Sequence, residues 1–280
     1  MQTKSTPHGF ELPVLGLGTW RLGGGMSPDY SQDREAVENI RTAIDLGYTH
    51  LDTAEIYGGG HTEELIGRAI QGYDRGSIQI TTKIWNKNLA YPDVLTAVDG
   101  CLRRLHTDYI DCLLIHWPSG EIPLESTLDA MNELEQDGKV HAIGLSNFNL
   151  EDTKRAAAHS SAPIATNQVP YNLYNRNYVH NGVLAYCQEN GILLTAYSPL
   201  DRGTILSNPV VGEVAKECGA TPAQVALNWV IRQGSVVSVP MSTKREHLEA
   251  NLKALEIKLS EDQVRRLDEI ELSEESLWPE

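Results

Sequence analysis

Four side chains that could move a proton stand at, or just after, the ends of apolar runs. Asp52 ends HLD, Lys83 ends ITTK, His116 ends CLLIH, and Tyr57 follows Asp52 by five residues. A phenol with a pKa of about 10 is a weak acid near neutrality unless a nearby cation stabilises its anion. A lysine held charged by a carboxylate supplies that cation, and an imidazole can orient a carbonyl oxygen or relay the proton. These four residues suit the donation of a proton to the oxygen of a carbonyl group whose carbon gains a hydride. Because no side chain can deliver a hydride, a nicotinamide cofactor is required.

Each of the four residues also has a structural explanation. Asp52 could cap the following helix, and a buried Lys83 would need a partner such as Asp52. His116 alone is more typical of a core or rim histidine, and Tyr57 of a loop tyrosine. These explanations must all hold independently, whereas one shared cavity accounts for the four residues together.

The apolar runs have the pattern of strands that are buried on both faces of a parallel sheet, because they are short and rich in β-branched residues. They lie at 14–20, 50–54, 78–85, 109–117, 142–147, 165–171, 192–199 and 236–242. Segments with helical periodicity separate the runs, and two of them, 208–218 and 221–233, lie between the last two runs. The boxes that begin at Thr221 and Ser260 predict helix starts.

Eight strands that alternate with helices predict a (β/α)8 TIM barrel, for which about 250 residues is typical. A doubly wound open sheet is the alternative, but it usually stops at five or six strands. We treat 1–280 as one domain, because no linker or break in composition divides the chain. Residues 6–12 predict a short N-terminal hairpin at the barrel floor, and the box at Ser260 predicts an extra C-terminal helix. The polar strand ends would then share the C-terminal rim, where active sites of this fold form.

The composition argues against several classes of partner and site. The chain has 23 Lys+Arg against 38 Asp+Glu, and a net charge of −15 disfavours nucleic acid and anionic membranes. There is no apolar run of membrane-spanning length and no N-terminal signal-peptide core. Four cysteines without a CxxC pair predict no metal site and a cytoplasmic protein. GxSxG, HExxH and a complete GxGxxG are missing. We expect a monomer or weak oligomer.

The order of the short motifs resembles that of the aldo-keto reductase family. The motifs are GLGTW, LDTAEIYG, TTKIW, LLIHWP, GLSNF, NQVPYN and AYSPL, and the similarity covers nearly the whole chain. The resemblance implies NADPH-dependent reduction of aldehydes and ketones by a tetrad of Asp52, Tyr57, Lys83 and His116. Tyr57 would donate the proton, with its pKa lowered by Lys83 and Asp52. Steroid double-bond reductases of the family have glutamate in place of the histidine, so His116 favours carbonyl reduction.

The resemblance also implies where NADPH is held. The implied contacts are Ser146, Asn147, Gln168 and Tyr197 at the nicotinamide, Ser198, Leu200 and Arg202 at the pyrophosphate, and Ser242, Thr243, Lys244, His247 and Asn251 at the adenosine 2′-phosphate.

The adenosine end departs from the family pattern, IPKS followed by P-E-R-x-x-E-N. In VPMSTKREHLEAN, Met241 replaces the lysine and His247 replaces the arginine that grip the 2′-phosphate. A neutral histidine cannot mimic a bidentate arginine, although Lys244 and Arg245 still offer charge. We therefore expect NADPH to be used with a weakened preference over NADH.

Three tryptophans, Trp20, Trp85 and Trp117, follow strand ends and would wall a pocket for an apolar carbonyl substrate. Ordinary rim packing explains any one of them equally well. About ten residues follow the last predicted helix, which leaves little room for a long specificity loop and predicts an open site for diverse aldehydes and some ketones. Trp278 in this tail would either fold over the pocket or point away.

Two other functions stay open. One is a nucleotide-binding regulatory barrel with little turnover, as in the channel-associated β subunits that share this barrel. The other is a barrel hydrolase or lyase that uses Asp52 and His116 without nicotinamide.

Overall fold

A computed structural model describes residues 1–272, so Trp278 lies outside the described residues. The strands are β1 (Thr3–Ser5), β2 (Glu11–Pro13), β3 (Leu17–Gly18), β4 (His50–Asp52), β5 (Gln79–Ile84), β6 (Cys112–Ile115), β7 (Ile143–Ser146), β8 (Ile164–Pro170), β9 (Leu193–Tyr197) and β10 (Val236–Ser238). Strands β3 to β10 form one parallel sheet in sequence order. Its two edges meet, because the Gly16 amide donates to Ser238 O (2.8 Å) and the Gly18 amide donates to Pro240 O (3.1 Å). The sheet closes on itself, which confirms the predicted barrel.

Helices alternate with the strands and cover the outside of the barrel. They are α1 (Asp33–Asp45), α2 (His61–Ala69), α3 (Tyr91–Leu105), α4 (Leu124–Gln136), α5 (Leu150–His159), α6 (Asn177–His180), α7 (Val183–Glu189), α8 (Pro209–Cys218), α9 (Pro222–Ile231), α10 (Arg245–Leu252) and α11 (Glu261–Asp268). The hydroxyls of Thr221 and Ser260 accept from the first turns of α9 and α11, which confirms both predicted starts. No helix within residues 1–272 is long and apolar enough to cross a membrane.

The apolar runs are continuous because both faces of each barrel strand are buried. In β6, Leu113 and Ile115 pack with the helix layer, whereas Cys112 and Leu114 belong to a separate cluster. Successive residues of a strand point to opposite faces, so these two sets face the helices and the barrel interior respectively.

The N-terminal hairpin lies at the end of the barrel where the strands begin. β1 and β2 pair antiparallel, and Leu12 packs with Leu193 and Val237 near the starts of β9 and β10. Lys4 Nζ donates to Ile231 O (2.6 Å), to Val236 O (2.7 Å) and to Gln233 O. The predicted hairpin is confirmed, and this lysine ties it to the end of α9.

The last strand is shorter than the sequence predicts. The apolar run suggests a strand over 236–242, but β10 ends at Ser238. Pro240 has no N–H to continue the ladder. Ser242 therefore lies in a loop four residues beyond the strand.

Candidate active site

Asp52, Lys83 and Tyr57 form a row at the rim where the strands end. Lys83 Nζ donates to Asp52 Oδ2 (2.8 Å) and to the backbone oxygen of Thr53 (2.6 Å), and it lies 3.4 Å from the Tyr57 hydroxyl. The side chains of Lys83 and Asp52 are 0% and 5% exposed. An ammonium so far from water needs a close carboxylate, and Asp52 on the neighbouring strand provides it.

His116 completes this group of side chains. Its ring lies edge-on to Tyr57 with 5.8 Å between ring centroids. Burial lowers the pKa of His116 well below its usual range, and Lys83 lowers it further, so the imidazole is neutral near pH 7. Its Nδ1 is buried and meets no hydrogen-bond partner within residues 1–272. A polar group of a bound molecule would satisfy this nitrogen.

The protonation states of Lys83 and Tyr57 follow from burial and from each other. Burial lowers the pKa of Lys83, but Asp52 and Tyr57 together outweigh it through attraction and hydrogen bonding, so the pKa is raised overall. Tyr57 is partly exposed as a residue, yet its hydroxyl is enclosed, and burial raises the pKa of this phenol. Lys83 lowers that pKa as expected, but Asp52 raises it and burial dominates. The expectation that Lys83 and Asp52 together lower the Tyr57 pKa is therefore wrong for Asp52 and for the net direction. Tyr57 is therefore protonated near pH 7, as a proton donor must be.

The residues expected at the nicotinamide lie at the same rim. Asn147 Nδ2 donates to His116 O (3.0 Å) and to Ser146 Oγ (3.1 Å), while its Oδ1 accepts from the Tyr197 hydroxyl (2.8 Å). Gln168 Nε2 donates to Asp52 Oδ1 (2.7 Å). The structure thus brings all four residues, Ser146, Asn147, Gln168 and Tyr197, next to the tetrad.

The backbone is strained where the resemblance expects the cofactor. Asn147, Ser198, Asp201 and Arg202 have φ of 63°, 49°, 47° and 55°. Left-handed backbone is costly for residues other than glycine and clusters at functional sites. The strained segment 198–203 follows β9 at this rim, and a left-handed turn can direct N–H groups towards an anion. Leu200, by contrast, packs partly against the core.

The residues expected at the 2′-phosphate surround the start of α10. Ser242 is buried and its Oγ accepts from the Lys244 amide (3.2 Å), whereas Thr243, Lys244 and His247 are exposed. Asn251 lies further along α10 and is buried. Met241 is 41% exposed, and its Cβ lies 3.7 Å from where a Cβ on Gly18 would stand. Met241 therefore lies beside β3 at the barrel's closing seam.

Two of the three tryptophans contact the tetrad. Trp20 lies edge-on to Tyr57 with ring centroids 4.8 Å apart, and Trp85 lies edge-on to His116 at 5.6 Å. Trp117 directly follows His116 and is partly buried. Aromatic rings therefore stand beside the proton-transfer groups.

One residue of this site was missed by the sequence reasoning. Glu55 lies within the motif DTAEIYG, but no role was assigned to it. Its carboxylate accepts from the Trp85 amide (2.9 Å) and from Asn88 Nδ2 (2.7 Å). The only signal in the sequence was an acidic residue two positions before Tyr57, which does not reveal what the carboxylate contacts.

The (β/α)8 fold and the residues at its C-terminal rim agree with those of a known protein family. The family model "Aldo/keto reductase family" matches residues 14–272. This chain belongs to the aldo/keto reductase family.

Several relatives are similar over nearly their whole length. Methylglyoxal reductase DkgB of Escherichia coli O157:H7 is 36% identical over 274 residues, which covers 96% of this chain and 97% of that protein. The thermostable aldo-keto reductase Tm1743, crystallised with the inhibitor epalrestat, is 48% identical with a TM-score of 0.94, covering 96% and 99%. An aldo/keto reductase from Klebsiella pneumoniae, crystallised with NADP and acetate, is 34% identical with a TM-score of 0.87, covering 95% and 94%. The regulatory alternative finds no support among these reductases.

Proposed function

We propose that this protein reduces aldehydes and ketones to alcohols with NADPH, with Tyr57 as the proton donor. The observation that carries the proposal is the row Asp52–Lys83–Tyr57 beside a neutral His116. The overall reaction is aldehyde + NADPH + H⁺ giving alcohol + NADP⁺. NADPH, when bound, supplies the hydride that the carbonyl carbon accepts.

The protein's own residues manage the proton and the carbonyl oxygen. Tyr57 gives its hydroxyl proton to the oxygen as the carbon is reduced, and the Lys83 ammonium stabilises the phenolate that remains. Asp52 keeps Lys83 charged and in place. A neutral His116 carrying its proton on Nε2 can donate a hydrogen bond to the carbonyl oxygen and orient it.

The residues at the rim fit the cofactor. The buried Nδ1 of His116 has no hydrogen-bond partner within residues 1–272 and would accept from a carboxamide. Asn147 and Gln168 would contact the carboxamide by exchanging one of their bonds within the protein for a bond to the cofactor. Tyr197 would stack on the nicotinamide ring, and the strained segment 198–203 would face the pyrophosphate. Lys244, Thr243 and Ser242 at the start of α10 would contact the 2′-phosphate.

The substrate would be a small carbonyl compound with an apolar group against the tryptophans. One relative is named for methylglyoxal, a small dicarbonyl, and we extend this substrate class to the present chain. The charge of −15 also supports a neutral small molecule rather than a nucleic acid as the partner. A hydrolase or lyase that uses Asp52 as its base is disfavoured, because Lys83 and Gln168 each take one of its oxygens.

The test is turnover of methylglyoxal, propanal and 4-nitrobenzaldehyde with NADPH and with NADH. The Tyr57→Phe variant should fold and bind NADPH, but lose about 10²–10⁴-fold in kcat, the usual contribution of a general acid. NADPH binding, followed by nicotinamide fluorescence, serves as the control for folding. Near-normal turnover in this variant would refute the proton-donor role, and NADPH binding without turnover of any aldehyde would favour a regulatory barrel.

A further inference from the structure

Glu55 links the turn that carries Tyr57 to the loop that carries Trp85. Its Oε2 accepts the Trp85 backbone N–H (2.9 Å), and its Oε1 accepts from Asn88 Nδ2 (2.7 Å). The Glu55 amide in turn donates to Lys83 O (3.0 Å). Backbone and side chain together therefore fasten this turn to the end of β5.

One carboxylate bond caps the start of the 3₁₀ turn Asn86–Asn88 by accepting the Trp85 N–H, and the other holds the side chain of Asn88 at the end of the turn. Trp85 precedes this turn and provides no side-chain acceptor for it. The first N–H groups of a helical turn need acceptors, and an ionised carboxylate makes stronger hydrogen bonds than a neutral group. Glu55 supplies from another element the cap that the turn itself lacks, so the position of the Trp85 backbone depends on Glu55.

Trp85 stands next to the reacting groups. Its ring meets His116 edge-on at 5.6 Å, and His116 lies 5.8 Å from Tyr57. Both oxygens of Glu55 are taken up by the loop, so Glu55 acts through Trp85 rather than on a substrate.

We propose that Glu55 is a positioning residue that holds the Trp85 wall against His116 and thereby sets the affinity for bulky or aromatic carbonyl substrates. The proposal rests on the carbonyl reduction proposed above. A small aldehyde reaches the tetrad without filling the space along Trp85. The turnover of a small aldehyde should therefore not depend on the position of the Trp85 ring.

Two substitutions separate the hydrogen bonds from the charge. Glu55→Met keeps the length of the side chain but removes both acceptors. Glu55→Gln keeps one acceptor for the Trp85 N–H, and Asn88 can turn its amide to accept from the new N–H₂ group. For 4-nitrobenzaldehyde, Glu55→Met should raise KM about tenfold through the loss of wall contacts. kcat for propanal and the Kd of NADPH should stay unchanged, and Glu55→Gln should resemble the wild type.

A double-mutant cycle shows whether Glu55 acts through Trp85. In a Trp85→Ala background, Glu55→Met should have no further effect on the KM for 4-nitrobenzaldehyde. If Glu55→Met raised this KM in the Trp85→Ala background as much as it does in the wild type, the proposal would be overturned. A shifted pH profile in Glu55→Gln would also overturn it, because the shift would indicate an action of the carboxylate charge.

A readout without turnover separates this proposal from the proposed function. Acrylamide quenching of tryptophan fluorescence should increase in Glu55→Met, and the increase should vanish in Glu55→Met/Trp85→Phe. Asn88→Ala removes one of the two hydrogen bonds to Glu55 and should give a smaller increase in quenching. This variant replaces Glu55→Met in the test if Glu55→Met folds poorly. Unchanged quenching in both variants contradicts the positioning role, whereas a wild-type protein that reduces neither aldehyde contradicts the proposed function alone.

Discussion

Three protonation states decide how the rates should depend on pH. His116 has a pKa well below its usual range, whereas Lys83 and Tyr57 both have raised values. None of the three groups changes charge between about pH 6.5 and about pH 9. We therefore expect kcat for aldehyde reduction to be flat over this range, measured as NADPH oxidation at saturating substrate.

The reverse reaction should behave differently, because Tyr57 must lose its proton before it can accept one from an alcohol. Its rate should rise with pH by up to about tenfold per unit. In Tyr57→Phe the rise should disappear. If kcat for aldehyde reduction fell across a pH midpoint near neutrality, His116 would be changing its charge there. That result would contradict the neutral state assigned to His116.

The 2′-phosphate contacts also belong to single residues. Met241 has no charge, and His247 cannot make the two parallel hydrogen bonds that an arginine makes with a phosphate. We therefore expect the ratio of kcat/KM for NADPH to kcat/KM for NADH to stay below about a thousandfold, which corresponds to about 4 kcal/mol. Met241→Lys should raise this ratio by about ten- to hundredfold through the KM of NADPH, since hydrogen bonds to charged groups contribute about 1.5–3 kcal/mol.

Met241→Gln is the matched control, because it adds polarity without charge and should leave the ratio unchanged. An unaltered ratio in Met241→Lys would mean that the 2′-phosphate does not approach the loop after β10.

The sequence was sufficient to place the tetrad at one rim, because Asp52, Lys83 and His116 are polar residues in runs that are otherwise buried. It could not give the sign of the Tyr57 pKa shift, which depends on how closely the hydroxyl is enclosed. Nor could it give the bond between Tyr197 and Asn147, which joins residues 50 positions apart, or the left-handed backbone at Asn147. Glu55 was missed because its partners come from a loop 30 residues further along the chain.

At the scale of the elements, β3 reaches its neighbours closely only because glycine precedes it. A Cβ on Gly16 would stand 2.4 Å from His50 Nδ1. His50 is fully buried and its Nε2 lies 2.9 Å from Thr81 Oγ1, so the ring has little freedom to move. Gly16→Ala should lower the free energy of unfolding by about 1–3 kcal/mol, the usual cost of overpacking. Denaturant unfolding measures this change.

Gly212→Ala in α8 is the control for that substitution. A Cβ there meets nothing within 4 Å among residues 1–272, so the helix should gain about 0.5–1 kcal/mol from the alanine. Equal stability of Gly16→Ala and the wild type would show that the His50 ring can shift.

The two helices between the last two strands were predicted accurately, and the second of them carries an explicit start signal at Thr221. The segments 208–218 and 221–233 agree with α8 and α9 to within two residues at each end. The strand ends were less accurate, because an apolar run continues into the loop after β10 and hydrophobicity alone does not mark the end of a ladder. A strand ends where its hydrogen-bonded neighbours in the sheet end, and the amino-acid sequence does not show which residues of the neighbouring strands pair with it.

For the whole molecule, the two ends of the barrel have different tasks. The tetrad lies where the strands end, and the hairpin of β1 and β2 lies where they begin. In this fold, residues at the rim serve catalysis and residues at the floor serve stability. Lys4 is the clearest case at the floor, because it joins the first strand of the chain to the end of α9.

Lys4→Met should therefore reduce stability without changing catalysis. The substitution leaves three carbonyls, those of Ile231, Gln233 and Val236, without their shared donor. A lost hydrogen bond of this kind costs about 1–3 kcal/mol, which for a chain of this size lowers Tm by roughly 2–4 °C per kcal/mol. Lys258→Met, at an exposed lysine, removes the same charge and should leave Tm unchanged. kcat at 25 °C should equal that of the wild type in both variants, and a matching loss of kcat in Lys4→Met would show that the floor and the rim are coupled.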